Sequence, residues 1–119
     1  MDKKTFQRFL DRDGGRCYAT GREGETLVPQ HRLGGMGGNR PQNPAAIITF
    51  DSLANGDIES DAGWQRKAYG FGWKLRAGDD PLLVPCFHMY YGWRVLADDF
   101  TFREATRDEI DALVLREAS

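Results

Sequence analysis

The chain has no apolar run approaching the roughly 18 residues that cross a bilayer as a helix, so no membrane helix is expected. It holds only two cysteines, Cys17 and Cys86, in 119 residues. Neither belongs to a CxxC pair, which argues against a disulfide scaffold and against a self-contained structural zinc site. Both read as small buried residues. Histidine is as scarce, at two. An excess of one charge is missing too: 16 Lys and Arg stand against 18 Asp and Glu, a net −2. That balance, with 40% hydrophobic and 12% aromatic residues, excludes wholesale disorder. Met1-Asp2-Lys3-Lys4 lacks the apolar stretch of a secretory leader, so a cytoplasmic location is expected. The length fits one domain, since domains usually run about 100–150 residues.

What is present is a charge gradient. Residues 1–40 carry a net +3, residues 41–95 a net −1 and residues 96–119 a net −4. A local basic patch matters more for nucleic acid than the total, so the front is compatible with a nucleic-acid face. Two solvated surfaces would give the same gradient.

Phe6, Phe9 and Leu10 recur at i, i+3 and i+4, which predicts a helix over 3–12 with Lys3, Lys4, Arg8 and Arg12 on its other faces. Gly14-Gly15 ends it. Arg16-Cys17-Tyr18 and Thr26-Leu27-Val28 read as a hairpin about the turn-rich segment 20–24. Residues 30–41 hold four of the 14 glycines and read as a loop, with Met36 as its anchor. Residues 45–50 read as a buried strand, and residues 55–69 as a helix closed by Gly70. Residues 71–76, 82–89, 93–97 and 100–103 are short β candidates. Thr106 with Glu109 makes a capping box before a helix that carries Ile110, Leu113 and Val114 on one face.

The chemistry concentrates near the glycine loop. His31 enters it, Asn43 follows twelve residues later, and Asn55 twelve after that. A neutral imidazole can take a proton from water near pH 7. An amide oxygen such as that of Asn55 can hold a hard divalent cation, and a cation supplies the charge stabilisation that phosphodiester cleavage needs. Arg32 and Arg40 flank the loop and are candidate phosphate contacts. Taken alone, one His and two Asn are also what ordinary loop hydrogen bonding uses.

The order hairpin, His, loop, Asn, strand, polar residue, helix resembles the HNH endonucleases, the ββα-metal nucleases, and small phage-encoded members in particular. The matching segments are Arg12-Asp13-Gly14-Gly15-Arg16-Cys17, Gln30-His31-Arg32-Leu33-Gly34-Gly35-Met36-Gly37-Gly38, Asn43-Pro44-Ala45-Ala46-Ile47-Ile48 and Asn55-Gly56-Asp57-Ile58-Glu59-Ser60. The trailer follows in Ala68–Trp73, Asp80–Pro85 and Tyr91–Asp99, so the resemblance covers about residues 11–103. It implies an α+β fold in a single domain over 1–119. A ββα-metal centre would occupy about 11–70, and an antiparallel β extension and C-terminal helix about 71–118. It implies a metal-dependent DNA endonuclease or nickase. His31 would be the general base, Asn43 would hold the base and its loop, and Asn55 and Gln30 would be ligands of Mg²⁺ or Mn²⁺. The partner would be DNA, and the host cytoplasm the place.

Two positions depart from the family pattern. Gln30 stands where relatives carry a His or Asp metal ligand, so Gln30 and Asn55 give a cation no negative charge; Asp51, Asp57 or Glu59 would have to supply it. Of the zinc-binding cysteines of many relatives only Cys17 remains, so structural zinc is not expected and the aromatic C-terminal half must replace its stabilisation. These departures define the alternative: a non-catalytic HNH-fold phage accessory or anti-defence protein that binds DNA, or a host protein through the acidic C-terminal region.

Overall fold

The computed structural model describes residues 1–34 and 41–118. Helix α1 (Lys3–Asp13) starts where the Asp2 carboxylate accepts from the Thr5 N–H at 2.7 Å. It stops at Gly14, whose φ of 67° is left-handed and whose missing Cβ leaves room for the Tyr91 ring. Phe9 faces the core as its spacing predicts, and burying such a ring stabilises by about 1.5–3 kcal/mol. Arg12 departs from expectation: it is buried, not solvated. Its guanidinium donates to both Asp13 carboxylate oxygens, at 2.7 and 2.9 Å, and to the carbonyls of Pro44 and Ile47 at 2.8 and 2.6 Å.

The expected hairpin over 16–28 does not form. Cys17 instead closes a tight turn on itself, donating to the Arg22 carbonyl at 2.9 Å and accepting from the Gly21 N–H at 2.9 Å. Strand β1 (Leu27–His31) pairs antiparallel with β2 (Ile47–Asp51) across the long connection, Leu27 opposite Asp51 and His31 opposite Ile47. Pro29 has no N–H to give, and the two-stranded sheet leaves it on an edge. The short 3-10 turn Pro44–Ala46 leads into β2, which is buried along its whole length.

Asp51 ends β2 and caps α2 (Ser52–Ser60), accepting from the Leu53 N–H at 3.0 Å. Helix α3 (Ala62–Gly70) follows directly. The single helix expected over 55–69 is therefore two. The break is Asp61, which leaves helical geometry (φ −124°, ψ 120°) and accepts from the N–H groups of Gly63 and Trp64 at 2.8 and 3.1 Å. An aspartate does better as a cap than inside a helix.

A second antiparallel sheet, in the order β3 (Cys86–His88), β4 (Gly92–Leu96), β5 (Phe102–Glu104), fills the C-terminal half. Residues 71–76 are not a strand; among them only Leu75 bridges, to Leu33. Of the run expected over 82–89, only the last residues pair. The cause is visible at Arg32, whose side chain takes the carbonyls of Gly72, Pro81 and Val84 that a ladder would need. Helix α4 (Arg107–Ala118) begins with the expected capping box: the Thr106 hydroxyl accepts from the Glu109 N–H at 3.2 Å, and Glu109 accepts from the Thr106 N–H at 2.8 Å. Only Leu113 of its apolar stripe is fully buried, and Val114 is exposed.

The result is one compact α+β domain, with four helices and two small antiparallel sheets among the described residues. Its core joins Cys17, Tyr18, Ile48, Phe50, Ile58, Trp73 and Leu96 across both halves. No helix among the described residues is long and apolar enough to cross a membrane.

Candidate functional site

His31 is the last residue of β1, and Gln30 precedes it opposite Ile48. Successive strand residues face opposite sides, so the two side chains leave the hairpin in opposite directions. The Gln30 amide makes one weak bond, from Nε2 to the His31 carbonyl at 3.4 Å. The imidazole of His31 is half-buried, and its Nε2 lies 3.0 Å from Nε2 of Gln42.

The connection after β1 returns at Gln42. Asn43 precedes the 3-10 turn, and its carbonyl accepts from the Ala46 N–H at 2.9 Å. Its side-chain amide donates to Asp98 Oδ1 at 2.8 Å, and the Ala45 N–H reaches the same oxygen at 3.1 Å. Asn43 thus orders the segment that faces His31, while a side-chain contact to that ring comes from its neighbour Gln42. Asp98 lies in the turn after β4, 55 positions away, so the second sheet reaches the first at this point.

Asn55 sits in the first turn of α2, three residues after its start. Its Oδ1 is buried and has no hydrogen-bond partner among the described residues. A buried acceptor left unsatisfied carries a cost of about 1–3 kcal/mol that a ligand would relieve. Asp51, a possible charge donor, is 1% exposed and already engaged: it caps α2 and pairs with Arg22 at 3.2 Å. Asp57 lies exposed on α2, and the Glu59 side chain falls outside the described part. No group of three or more His, Cys, Asp or Glu among the described residues could hold a metal ion.

The two positions expected to hold a cation, Asn55 and Gln30, offer amide oxygens, both neutral. Magnesium is commonly held by one or two protein oxygens together with substrate phosphates. The orphaned Asn55 oxygen is a donor of the kind such an arrangement uses.

Arg32 does not fit its expected role. It is 0% exposed, and its guanidinium donates to four backbone carbonyls: Gly72 at 2.8 Å, Ala45 at 2.9 Å, Pro81 at 3.2 Å and Val84 at 2.9 Å. Burial pulls its pKa below the ordinary arginine value. From there it reaches no DNA phosphate. It is instead the peg that holds the end of β1 to the 72–84 segment. Arg40 and Met36 lie outside the described residues.

Exposed basic residues lie nearby on α1: Lys3, Lys4 and Arg8. The N-terminal half of α1 borders a cleft of about 430 Å³ lined by Thr5, Phe9, Gln42, Pro44 and Phe100. One wall of that cleft is the residue that touches His31. Arg8 lies over the Phe100 ring at 3.9 Å, and Phe100 is the one non-glycine residue of positive φ (66°) among the described residues.

Sequence reasoning missed Gln42 and Asp98. No local pattern marks either as a site residue. No protein-family model matches this chain, and no curated protein or solved structure is similar to it.

Proposed function

We propose that this chain is a divergent HNH-type DNA endonuclease or nickase, in which His31 activates water for phosphodiester hydrolysis. The observation that carries the reading is Asn55: an amide oxygen buried without a partner among the described residues, in the first turn of the helix that follows β2, whose partner strand β1 ends in His31. That is the position at which the HNH resemblance calls for a metal ligand.

The roles follow from the chemistry of each group. His31 takes the proton of a water molecule, whose oxygen attacks phosphorus; the bond to the leaving oxygen breaks, and that oxygen is protonated from solvent. Asn55 and Gln30 are the residues that would hold a divalent cation. When bound, the cation neutralises the charge that builds on phosphorus and its oxygens. Asn43 orders the connection behind His31. Arg40 is a phosphate contact, and the exposed α1 cations Lys3, Lys4 and Arg8 extend the basic face. The substrate is DNA, and the place of action is the cytoplasm of a phage-infected host.

One observation favours a second reading. Gln30 stands where the HNH resemblance calls for a His or Asp ligand, so a non-catalytic descendant that binds DNA, or a host protein through its acidic C-terminal region, would retain the same fold. Plasmid nicking with Mg²⁺ or Mn²⁺ separates the two. Activity that falls roughly 10²–10⁴-fold in His31→Ala supports the nuclease. Wild-type protein that leaves supercoiled plasmid intact with either ion supports the binding protein.

A further inference from the structure

We propose that Gln42 is a positioning residue that selects the tautomer of His31, and that Asp98 secures it there from the second sheet. An amide nitrogen can only donate a hydrogen bond. Gln42 Nε2 lies 3.0 Å from His31 Nε2, so that ring nitrogen is the acceptor. A neutral imidazole has one N–H and one bare nitrogen. The lone pair of His31 therefore lies on Nε2, and Nδ1 carries the proton.

Gln42 holds its place because the next residues are tied down. Asp98 Oδ1 accepts from the Asn43 side chain at 2.8 Å and from the Ala45 N–H at 3.1 Å. The Ala46 carbonyl then accepts from the Arg32 N–H at 2.8 Å, closing the segment onto the residue after His31. The β4–β5 turn thereby reaches the base through one hydrogen-bonded segment.

The catalytic consequence rests on the nuclease reading above. The nitrogen that Gln42 marks as basic is the one that takes the proton of water. An incoming water is also a donor, so it replaces Gln42 at Nε2 without requiring the ring to change tautomer. Gln42→Glu reverses the arrangement: a carboxylate accepts, so the proton moves to Nε2 and the lone pair to Nδ1. Gln42→Ala removes that bias. One net hydrogen bond shifts such an equilibrium by roughly 2- to 12-fold.

The chain has only two histidines, which makes the test direct. His88 Nδ1 accepts from the N–H groups of Tyr90 and Tyr91 at 3.0 and 3.3 Å, so its proton lies on Nε2, opposite to His31. Long-range ¹H–¹⁵N spectra of the labelled full-length protein, taken about two pH units above the ordinary imidazole value of about 6.5, read both rings at once. The expected result is Nδ1–H at His31 in the wild type, Nε2–H in Gln42→Glu, and a mixture in Gln42→Ala and Asp98→Ala. His88 stays unchanged throughout and reports that each variant folds. A wild-type His31 carrying its proton on Nε2, or the same tautomer in wild type and Gln42→Glu, overturns the proposal.

Plasmid nicking supplies the second arm. Gln42→Glu should lower kcat roughly tenfold and leave KM for plasmid unchanged; unchanged kcat overturns the catalytic half of the proposal. If the tautomers move as expected and the wild type does not nick, the positioning role stands and the nuclease reading falls.

Discussion

Arg12 and Arg32 are both buried arginines, and the molecule treats them differently. Arg12 meets a carboxylate: Asp13 accepts from its Nε and Nη2, from the Tyr18 hydroxyl at 2.6 Å, and from the Thr49 N–H and hydroxyl at 3.1 and 2.8 Å. Arg94 approaches the same carboxylate at 3.8 Å. Arg32 instead donates to four backbone carbonyl oxygens, and among the described residues it forms no ion pair with a carboxylate. The two sites divide two tasks. The Asp13 cluster neutralises charge where α1, β2 and β4 meet. The Arg32 peg uses its fork of five N–H groups to bind backbone that has no ladder of its own. The chain thus spends a central carboxylate on structure and leaves the candidate site beside His31 with neutral amides.

The largest effect expected is at Asp13. Asp13→Ala strands the Arg12 charge in the core, and breaking a buried pair from one side costs about 3–5 kcal/mol. Urea unfolding should show a midpoint far below wild type, or no folded baseline. A loss under about 1 kcal/mol would mean that the cluster is better hydrated than its burial indicates.

Arg32→Met sharpens the contrast. It removes the charge together with the donors, so no ion is stranded, but four carbonyls lose a partner. An unsatisfied buried group costs about 1–3 kcal/mol, and some carbonyls regain water. A loss of about 2–4 kcal/mol is expected, smaller than at Asp13. Arg32→Lys keeps the charge but not the fork, and should recover little of it. Full recovery by lysine would show that charge, not geometry, is what this position supplies.

Acid should distinguish the two sites further. His88 packs against Tyr18 with ring centroids 4.5 Å apart, on the Asp13 side of the molecule. Burial, then the positive charge of Arg94, pushes its pKa down to about 4 from an ordinary value of 6.5. Between those values the unfolded chain binds a proton that the folded chain refuses. Stability is therefore complete above about pH 6.5 and falls as pH drops toward 4, with a slope of up to about 1.4 kcal/mol per pH unit. Unfolding midpoints measured across that window should show the slope in wild type and in Arg32→Met, and a reduced one in His88→Gln.

The sequence is legible where its signals are local. The α1 periodicity, the Gly14 stop, the apolar run of β2 and the capping box of α4 each depend on residues within one or two turns, and each is found. What fails depends on distant partners. The strand that pairs with Leu27–His31 lies 16 or more residues away, and its register cannot be inferred from the turn at 20–24. Arg12 reads as a solvated charge and Arg32 as a phosphate contact because nothing nearby announces the carbonyls they bind, 13 to 52 positions downstream. At the site, His31 and Asn55 stand out by residue type. Gln42 and Asp98 do not, because their part is set by which atoms they face.

The Arg32 peg also bears on how the chain is made. Synthesis proceeds from the N-terminus, and domains generally fold as units once enough chain is available. When β1 emerges, Arg32 has none of its four acceptors; Ala45 and Gly72 supply two, and Pro81 and Val84 complete the set only with another stretch of chain. A nascent chain that has not passed Val84 therefore carries a cation that its own interior cannot yet accept. The N-terminal half is in this sense not a fragment awaiting an extension: on the ribosome it matures only when its second half arrives.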